Sequence, residues 1–277
     1  MIAQEFEYSA PATLAEALDL LAGHEGAKPL AGGMSLIPMM KLRLAAPEQL
    51  IDIGRLKELN YVRVEGDLVH VGAGTTHWDV ESSVAIRRHC PLLAETVANI
   101  GDIQVRNRGT IGGSAAHADP SADYPAAFFA LEARFKLARK GGERILSAPD
   151  FFVDVLTTAL EPGEVITEII VPAEKPGTGV SYQKAVQPAS GYAMVGVAAR
   201  VGKGLVRVGV TGLAGKAYRA HQVEEIYAAT GDAAKAAAVV ADGVDANSDL
   251  HATAKYRAHL AKVYTQRALV AAASRMA

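Results

Sequence analysis

Two short glycine-rich segments constrain the fold of this chain more than any other feature of its sequence. They are Ala31-Gly32-Gly33-Met34-Ser35 and Thr110-Ile111-Gly112-Gly113-Ser114, and they lie about 80 residues apart. Paired glycines allow positive φ and close approach of the backbone to a ligand. Successive N–H groups beside a hydroxyl form a concavity that binds anions. Each segment alone is better explained by a tight turn, but together they suit a dinucleotide diphosphate held between two lobes.

The usual signatures of other nucleotide-binding, metal-binding and hydrolytic folds are absent from the sequence. No G-x-G-x-x-G opens a helix after a strand and no G-x-x-x-x-G-K-[ST] occurs, which counts against Rossmann and P-loop folds. No C-x-x-C, H-E-x-x-H or G-x-S-x-G is present, so neither a metal site nor a serine nucleophile is predicted. The single cysteine, Cys90, excludes an internal disulfide and an iron–sulfur cluster held by a full set of thiolates.

Composition narrows the class of protein and of partner. The 277 residues carry a net charge of −2, so no basic surface of the kind that binds nucleic acid is expected. No apolar stretch is long enough to cross a bilayer, and residues 1–6 lack the basic and apolar regions of a signal peptide. These features predict a cytoplasmic protein without a transmembrane segment.

Hydrophobic periodicity and turn residues predict an α+β fold. In the N-terminal part they indicate a helix from about Thr13 and strands over residues 5–8, 28–31 and 49–53. Further along they indicate two hairpins, over 61–71 and across 140–142, a helical stretch over 78–100 that Pro91 breaks, a helix over 124–131 and a strand over 164–171. The Gly- and Pro-containing residues 173–179 predict a domain boundary, which three strands and three helices follow.

The residues that flank the glycine segments carry a family resemblance. Residues 30–44 and 108–120 are similar to the two FAD signatures of the medium subunits of the xanthine dehydrogenase and aerobic carbon monoxide dehydrogenase family. Residues 182–184, 190–192 and 251–269 resemble parts of that family's C-terminal flavoprotein domain, so the similarity spans essentially the whole chain. Met34 departs from the pattern, because the family more often has a polar residue there.

The resemblance implies a fold. It is the two-lobed FAD-binding fold of the vanillyl-alcohol oxidase (PCMH) type, followed by a C-terminal three-stranded antiparallel sheet with helices. The implied domains are residues 1–56 and 57–173, two FAD-binding subdomains with the flavin between them, and residues 178–277, the C-terminal flavoprotein domain.

The resemblance also implies the cofactor, FAD, and the residues that bind it. Both glycine segments are expected to contact the diphosphate through backbone N–H groups and the hydroxyls of Ser35, Thr110 and Ser114, with no metal ion. No catalytic acid or base is expected, because the redox chemistry is that of the cofactor. The full implied set is Ala31, Gly32, Gly33, Met34, Ser35, Leu36, Ile100, Gly101, Thr110, Ile111, Gly112, Gly113, Ser114, Asp123, Lys184 and Tyr192.

Four of these residues have a structural alternative. Asp123 matches a family acid near the adenosine half of FAD, where it can accept from ribose hydroxyls, but it can equally cap the following helix. Lys184 matches a basic residue near the isoalloxazine, or it is a solvated side chain. Tyr192 covers a flavin face or packs across strands, and Ile100 approaches the flavin or belongs to the core.

The implied function is electron transfer. A partner subunit with two [2Fe–2S] clusters delivers electrons that a molybdenum-cofactor subunit takes from its substrate, and FAD passes them to a quinone, NAD or oxygen. A dimer of heterotrimers is the implied assembly. The alternatives are a self-sufficient FAD oxidoreductase, a medium subunit of an N-heterocycle, purine or aldehyde hydroxylase, and a scaffold protein that has lost FAD.

Overall fold

The N-terminal unit is a small parallel sheet covered by a helix. The computed structural model describes residues 2–276. Strands β1 (Glu7–Ser9), β2 (Ala27–Leu30) and β3 (Gln49–Asp52) pair in the order β1-β3-β2. The helices of this unit are α1 (Leu14–Gly23) and α2 (Leu36–Lys41). Ala17 and Leu21 of α1 pack on Ile51 of β3, so all three predicted strands and the first helix are confirmed within two residues.

The second unit is built on a five-stranded antiparallel sheet in the order β4-β5-β10-β6-β7. Both predicted hairpins are confirmed as the pairs β4–β5 and β6–β7. Between them and β10 lies a two-stranded ribbon, β8–β9, which the sequence analysis did not predict. The strands are β4 (Val62–Glu65), β5 (Leu68–Gly72), β6 (Arg134–Arg139), β7 (Gly142–Ser147), β8 (Phe152–Asp154), β9 (Thr157–Thr158) and β10 (Val165–Pro172).

Short helices cover this second sheet, and a 3-10 turn (Lys57–Leu59) precedes it. The predicted helical stretch over 78–100 is three helices, because Ser83 starts a new one by accepting from the Ile86 N–H at 3.3 Å. Pro91 breaks the stretch as predicted and stands in the first turn of the third helix. The helices are α3 (His77–Ser82), α4 (Val84–His89), α5 (Pro91–Val97), α6 (Ile103–Arg108), α7 (Ile111–His117), α8 (Tyr124–Ala130) and α9 (Ala148–Phe151).

The third unit is an antiparallel sheet covered by helices. Its strands are β11 (Gly179–Val186), β12 (Ala193–Gly202), β13 (Leu205–Thr211) and β14 (Tyr218–Arg219), paired in that order. The prediction of three strands is therefore wrong by one, since β14 has only two residues and too short a span for any alternation to show in the sequence. Its helices are α10 (His221–Thr230), α11 (Ala233–Ala238) and α12 (Ala254–Ser274).

Helix α8 joins the second and third units in one core. All seven of its residues are buried, and Phe128 packs on Tyr124 and Phe135 with ring centroids 5.3 and 5.2 Å apart. Its other side lies so close to β13 that a Cβ on Gly209 would come within 2.0 Å of the Ala126 carbonyl oxygen. The predicted domain boundaries near residues 56 and 173–178 remain predictions. Among the described residues, no helix is both long and apolar enough to cross a membrane.

Candidate functional site

A cleft of about 1210 Å³ lies between the first and second units. Three groups of the lining residues contain predicted FAD-binding residues. The first is the glycine segment over 31–36 and the second is the segment over 109–114. The third contains Ile100, Gly101, Asp123 and Tyr192. Of the sixteen residues predicted to bind FAD, the structure places fourteen on the wall of this cleft; the exceptions, Ile111 and Lys184, are buried behind it.

The two glycine segments come together through backbone contact. A Cβ atom on Gly32 would lie 2.0 Å from the Arg108 carbonyl oxygen and 2.8 Å from Gly109 Cα. Only glycine permits this approach, so Gly32 is one point at which the first unit rests on the second; another is the buried cluster in which Val165 of β10 packs with Leu21 and Ile51. Elsewhere the two walls are joined by an exposed ion pair, in which Lys140 Nζ lies 3.0 Å from Asp19 Oδ1.

The first glycine segment presents a row of free hydrogen-bond donors to the cleft. Within residues 2–276, the backbone N–H groups of Gly32, Gly33, Met34 and Ser35 have no protein acceptor. Gly33 has a φ of +75°, which turns the chain so that α2 begins immediately after the segment. Ser35 occupies the N-cap position of α2, yet its side chain makes no capping hydrogen bond. Four amides and one hydroxyl are therefore available to an anion.

The second glycine segment differs from the prediction. It forms the first turn of α7, and its amides already donate within the protein: Ile111 N–H to Thr75 O at 3.0 Å and Gly112 N–H to Ala73 O at 2.9 Å. Gly113 N–H donates to Thr110 Oγ1 at 3.0 Å. The expectation that residues 111–114 offer free backbone N–H groups is wrong, because neighbours from the β5–α3 connection and the helix cap take them. What this segment offers the cleft is the hydroxyls of Thr110 and Ser114.

Asp123 and Lys184 form a buried ion pair. Lys184 Nζ lies 2.9 Å from Asp123 Oδ1 and donates to Asn99 O at 2.8 Å, and its side chain is 2% exposed. The alternative that Lys184 is solvated is therefore wrong. So is the alternative that Asp123 caps α8, because no capping bond forms. Two residues in direct contact cannot serve opposite ends of an extended FAD, so the predicted placements of Asp123 at the adenosine half and of Lys184 at the isoalloxazine cannot both hold.

Tyr192 stands at the mouth of the cleft in the β11–β12 connection. It is 43% exposed, and burial together with Asp119 and Asp123 raises the pKa of its phenol. The connection is held by Gln187 N–H, which donates to Tyr192 O at 2.8 Å. Gly191 in the same connection faces Gly101 across the cleft, since a Cβ there would lie 3.9 Å from Gly101 Cα.

His77 also lines the cleft, and the sequence analysis did not single it out. Its ring lies 5.4 Å from that of Tyr124, and its Nδ1 atom is buried without a partner among the described residues. Burial, reinforced by the positive charge of Arg106, lowers the pKa of His77 to about 4. The imidazole is thus neutral at neutral pH. No local sequence pattern signals this position, because its surroundings come from α6 and α8.

Comparison with known proteins identifies the family. Residues 4–174 match the family described as the FAD binding domain in molybdopterin dehydrogenase. The chain belongs to this family. It is thus an FAD-binding oxidoreductase subunit of the molybdenum hydroxylase type, as the two glycine segments and their flanks predicted.

Full-length relatives carry several different activities in their names. The chain is 43% identical to the carbon monoxide dehydrogenase medium chain of Hydrogenophaga pseudoflava over 100% of both proteins. It is 38% identical to the glyceraldehyde dehydrogenase medium chain of Sulfolobus acidocaldarius, covering 97% of this chain and 98% of that one. The solved carbon monoxide dehydrogenase of H. pseudoflava, in a form that lacks the Mo-pyranopterin moiety, matches with a TM-score of 0.94, 42% identity and full coverage of both chains.

Proposed function

We propose that FAD lies in the cleft with its diphosphate against residues 32–35 and that electrons pass through it to an external acceptor. The observation that carries this placement is the row of four unpaired N–H groups on the cleft wall. Opposite them, the hydroxyls of Thr110 and Ser114 can donate to the same anion. Neutral donors in a partly enclosed cleft are sufficient to bind a diphosphate without a metal ion. When bound, FAD supplies the electron-transfer chemistry.

The flavin half of FAD is assigned to the end of the cleft that Ile100, Gly101 and Tyr192 line. Asp123 belongs to this half, because Lys184 joins it to Asn99 O, one residue before Ile100. Lys184 does not reach the cleft surface, so its charge acts on the flavin across Asp123. The adenosine half is then assigned to the part of the cleft that Leu21, Lys140 and Leu160 line. These contacts complete a PCMH-type arrangement of two subdomains around FAD.

Electrons reach this chain from a partner. The sequence has one cysteine, Cys90, which is fully buried, and burial raises the pKa of its thiol to about 12. A protein-held cluster therefore belongs to another subunit, and we assign that role to a small [2Fe–2S] subunit beside a large molybdenum-cofactor subunit, in a cytoplasmic dimer of heterotrimers. The acceptor is a quinone, NAD or oxygen. The substrate is a property of the molybdenum subunit, as the names of the relatives illustrate.

Gly113→Val tests the placement of the diphosphate. A Cβ on Gly113 would lie 2.8 Å from Thr110 Oγ1, so valine displaces that hydroxyl and puts two methyl groups into the cleft. We expect at least a tenfold loss of FAD per polypeptide, measured from flavin absorbance in the complex purified through a tag on this chain. Gly142→Val is the control, because nothing lies within 4 Å of a Cβ at that exposed position. Full flavin content in Gly113→Val would contradict the placement.

A further inference from the structure

The Asp123–Lys184 pair lies in a small buried network whose members come from three separate elements. Asp123 precedes α8, and its Oδ1 accepts from the Tyr182 hydroxyl of β11 at 2.5 Å. Lys184, two residues further along β11, donates to Asp123 Oδ2 at 3.0 Å and to Asn99 O at 2.8 Å. Asp123 is 4% exposed, yet it lines the cleft. The pair therefore stands between the protein interior and the proposed flavin.

Few other charges face this carboxylate. Tyr124 and Tyr192 present phenols to it, and burial together with the charge of Asp123 raises the pKa values of both. Other charged groups of the packed elements bond elsewhere: Asp119 accepts from the Ser121 N–H, Glu95 of α5 bonds Tyr182 N and Arg275, and Arg200 of β12 bonds Glu174 and Ala130 O. Arg207 of β13 and Arg219 of β14 pair with Glu132. His77 of α3 is neutral at neutral pH, and His117 of α7 lines the same cleft. Lys184 is the one cation in contact with Asp123 among the described residues.

The carboxylate is already close to accepting a proton. Burial raises the pKa of Asp123 to about 6, although the neighbouring Lys184 charge and the hydrogen bonds from Tyr182 and Lys184 lower it. At neutral pH the residue is ionised and the pair is neutral overall. Negative charge added to the cofactor acts on Asp123 in a medium of low dielectric constant, where it favours the protonated acid.

We propose that Asp123 takes up a proton at Oδ2 when the flavin in the cleft is reduced, which leaves the Lys184 cation uncompensated beside the added negative charge. This inference rests on the proposed function. Two electrons come from the iron–sulfur partner, or from dithionite in a test. One proton from solvent goes to the flavin and a second goes to Asp123, and both leave again on reoxidation. Asp123 and Lys184 are thus one unit that couples proton uptake to electron uptake.

The test is the pH dependence of the flavin midpoint potential in the purified complex. For two electrons, one proton changes the potential by about 30 mV per pH unit and two protons change it by about 59 mV. Because Asp123 is already protonated below pH 6, we expect the slope of the wild-type protein to become steeper above about pH 6. An ionisation of the reduced flavin itself would make the slope shallower instead. Asp123→Asn should abolish the steepening.

Two further variants make the result decisive. Tyr182→Phe removes the hydrogen bond to Oδ1, which raises the pKa of Asp123 and should move the break in slope to higher pH. Glu174→Gln is the matched control: its carboxylate pairs with Arg200 at 2.7 Å and is about as buried as that of Asp123, but Glu174 does not line the cleft, so the break should stay. A reduced-minus-oxidised infrared spectrum should show a protonated carboxyl band in the wild type that Asp123→Asn lacks.

The outcomes separate this inference from the function on which it rests. A wild-type complex without FAD would overturn the proposed function and the inference together. If the wild type and Asp123→Asn both bind FAD and show the same break in the slope of midpoint potential against pH, the inference is overturned but the proposed function is not. If Asp123→Asn does not retain FAD, Tyr182→Phe decides, because an unmoved break contradicts proton uptake at Asp123.

Discussion

At the scale of single residues, burial displaces two pKa values in the cleft wall in opposite directions. Removal from water disfavours the charged form of any group. It lowers the pKa of His77 from 6.5 to about 4 and raises that of Asp123 from 3.8 to about 6. The contribution of His77 to the free energy of unfolding is fully present above pH 6.5 and is lost as the pH falls to 4. The contribution of Asp123 to the free energy of unfolding is fully present below about pH 4 and is lost as the pH rises to 6. The two contributions therefore change in opposite directions with pH.

His77→Leu should separate the two effects. The imidazole shift corresponds to roughly 3 kcal/mol of free energy of unfolding, at about 1.4 kcal/mol per pKa unit. On acidification from pH 7 to pH 5, we expect the free energy of unfolding of the wild-type protein to fall relative to that of His77→Leu, because the variant lacks the imidazole whose contribution is lost. Urea unfolding of the FAD-free protein at pH 7, 6 and 5 measures this. Parallel pH profiles would show that His77 is not the responsible group.

At the scale of elements, three short helices begin in different ways. Thr13 caps α1 by accepting from Glu16 N–H at 3.2 Å, and Thr110 caps α7 by accepting from Gly113 N–H at 3.0 Å. Ser35 has the same position before α2 but makes no such bond. The hydroxyl of Ser35 is therefore free for a ligand, that of Thr13 serves only the helix, and that of Thr110 can do both.

Alanine at each of these positions should separate stability from cofactor affinity. Thr13→Ala should cost about 1 kcal/mol in urea unfolding and leave FAD binding unchanged. Ser35→Ala should leave the unfolding of the FAD-free protein unchanged and weaken FAD binding at least tenfold, because a hydrogen bond to a charged group contributes about 1.5–3 kcal/mol. Thr110→Ala should lower both the free energy of unfolding and the affinity for FAD, as measured by urea unfolding and by flavin titration. Destabilisation of FAD-free Ser35→Ala would contradict this division.

The elements that the sequence predicted are those with a buried face or a marked turn. The β4–β5 and β6–β7 hairpins have alternating residues around glycine turns, and α1 has an apolar stripe behind a capping threonine. Helix α6 was missed because none of its six residues is buried, so no periodicity marks it. The glycine segments were found, but whether their amides are free depends on Ala73 and Thr75, more than 30 residues away from the second segment. The pairing of Asp123 with Lys184, 61 residues apart, depends likewise on the tertiary fold.

At the scale of the whole molecule, the family match ends at residue 174 but the core does not. Strands β12 and β13 cover one side of α8, and Val180, Tyr182 and Ala198 belong to the same buried cluster as Phe128. Arg200 of β12 also donates to Ala130 O at the end of α8 at 3.1 Å. The C-terminal unit is therefore part of the interior of the second unit.

A chain that ends at residue 174 should fail to fold cooperatively. Its α8 would expose apolar side chains that β12 and β13 otherwise cover. The free energy lost when several fully buried side chains become exposed exceeds the usual net free energy of unfolding of a domain. We expect weak near-ultraviolet circular dichroism and a broad urea transition, with a chain ending at residue 275 as the control. A sharp transition with the stability of the full chain would show that residues 1–174 fold independently.

The ion pair between Asp19 and Lys140 gives the cleft a sensitivity to its surroundings. The contact at Gly32 is steric and does not depend on dissolved ions, whereas both members of the ion pair are exposed to solvent. Mobile ions screen such charges over a Debye length of about 8 Å at physiological ionic strength. The steric and apolar contacts between the lobes therefore persist at high electrolyte concentration, whereas the ion pair weakens. The residence time of a bound dinucleotide then depends on the surrounding electrolyte as well as on the protein.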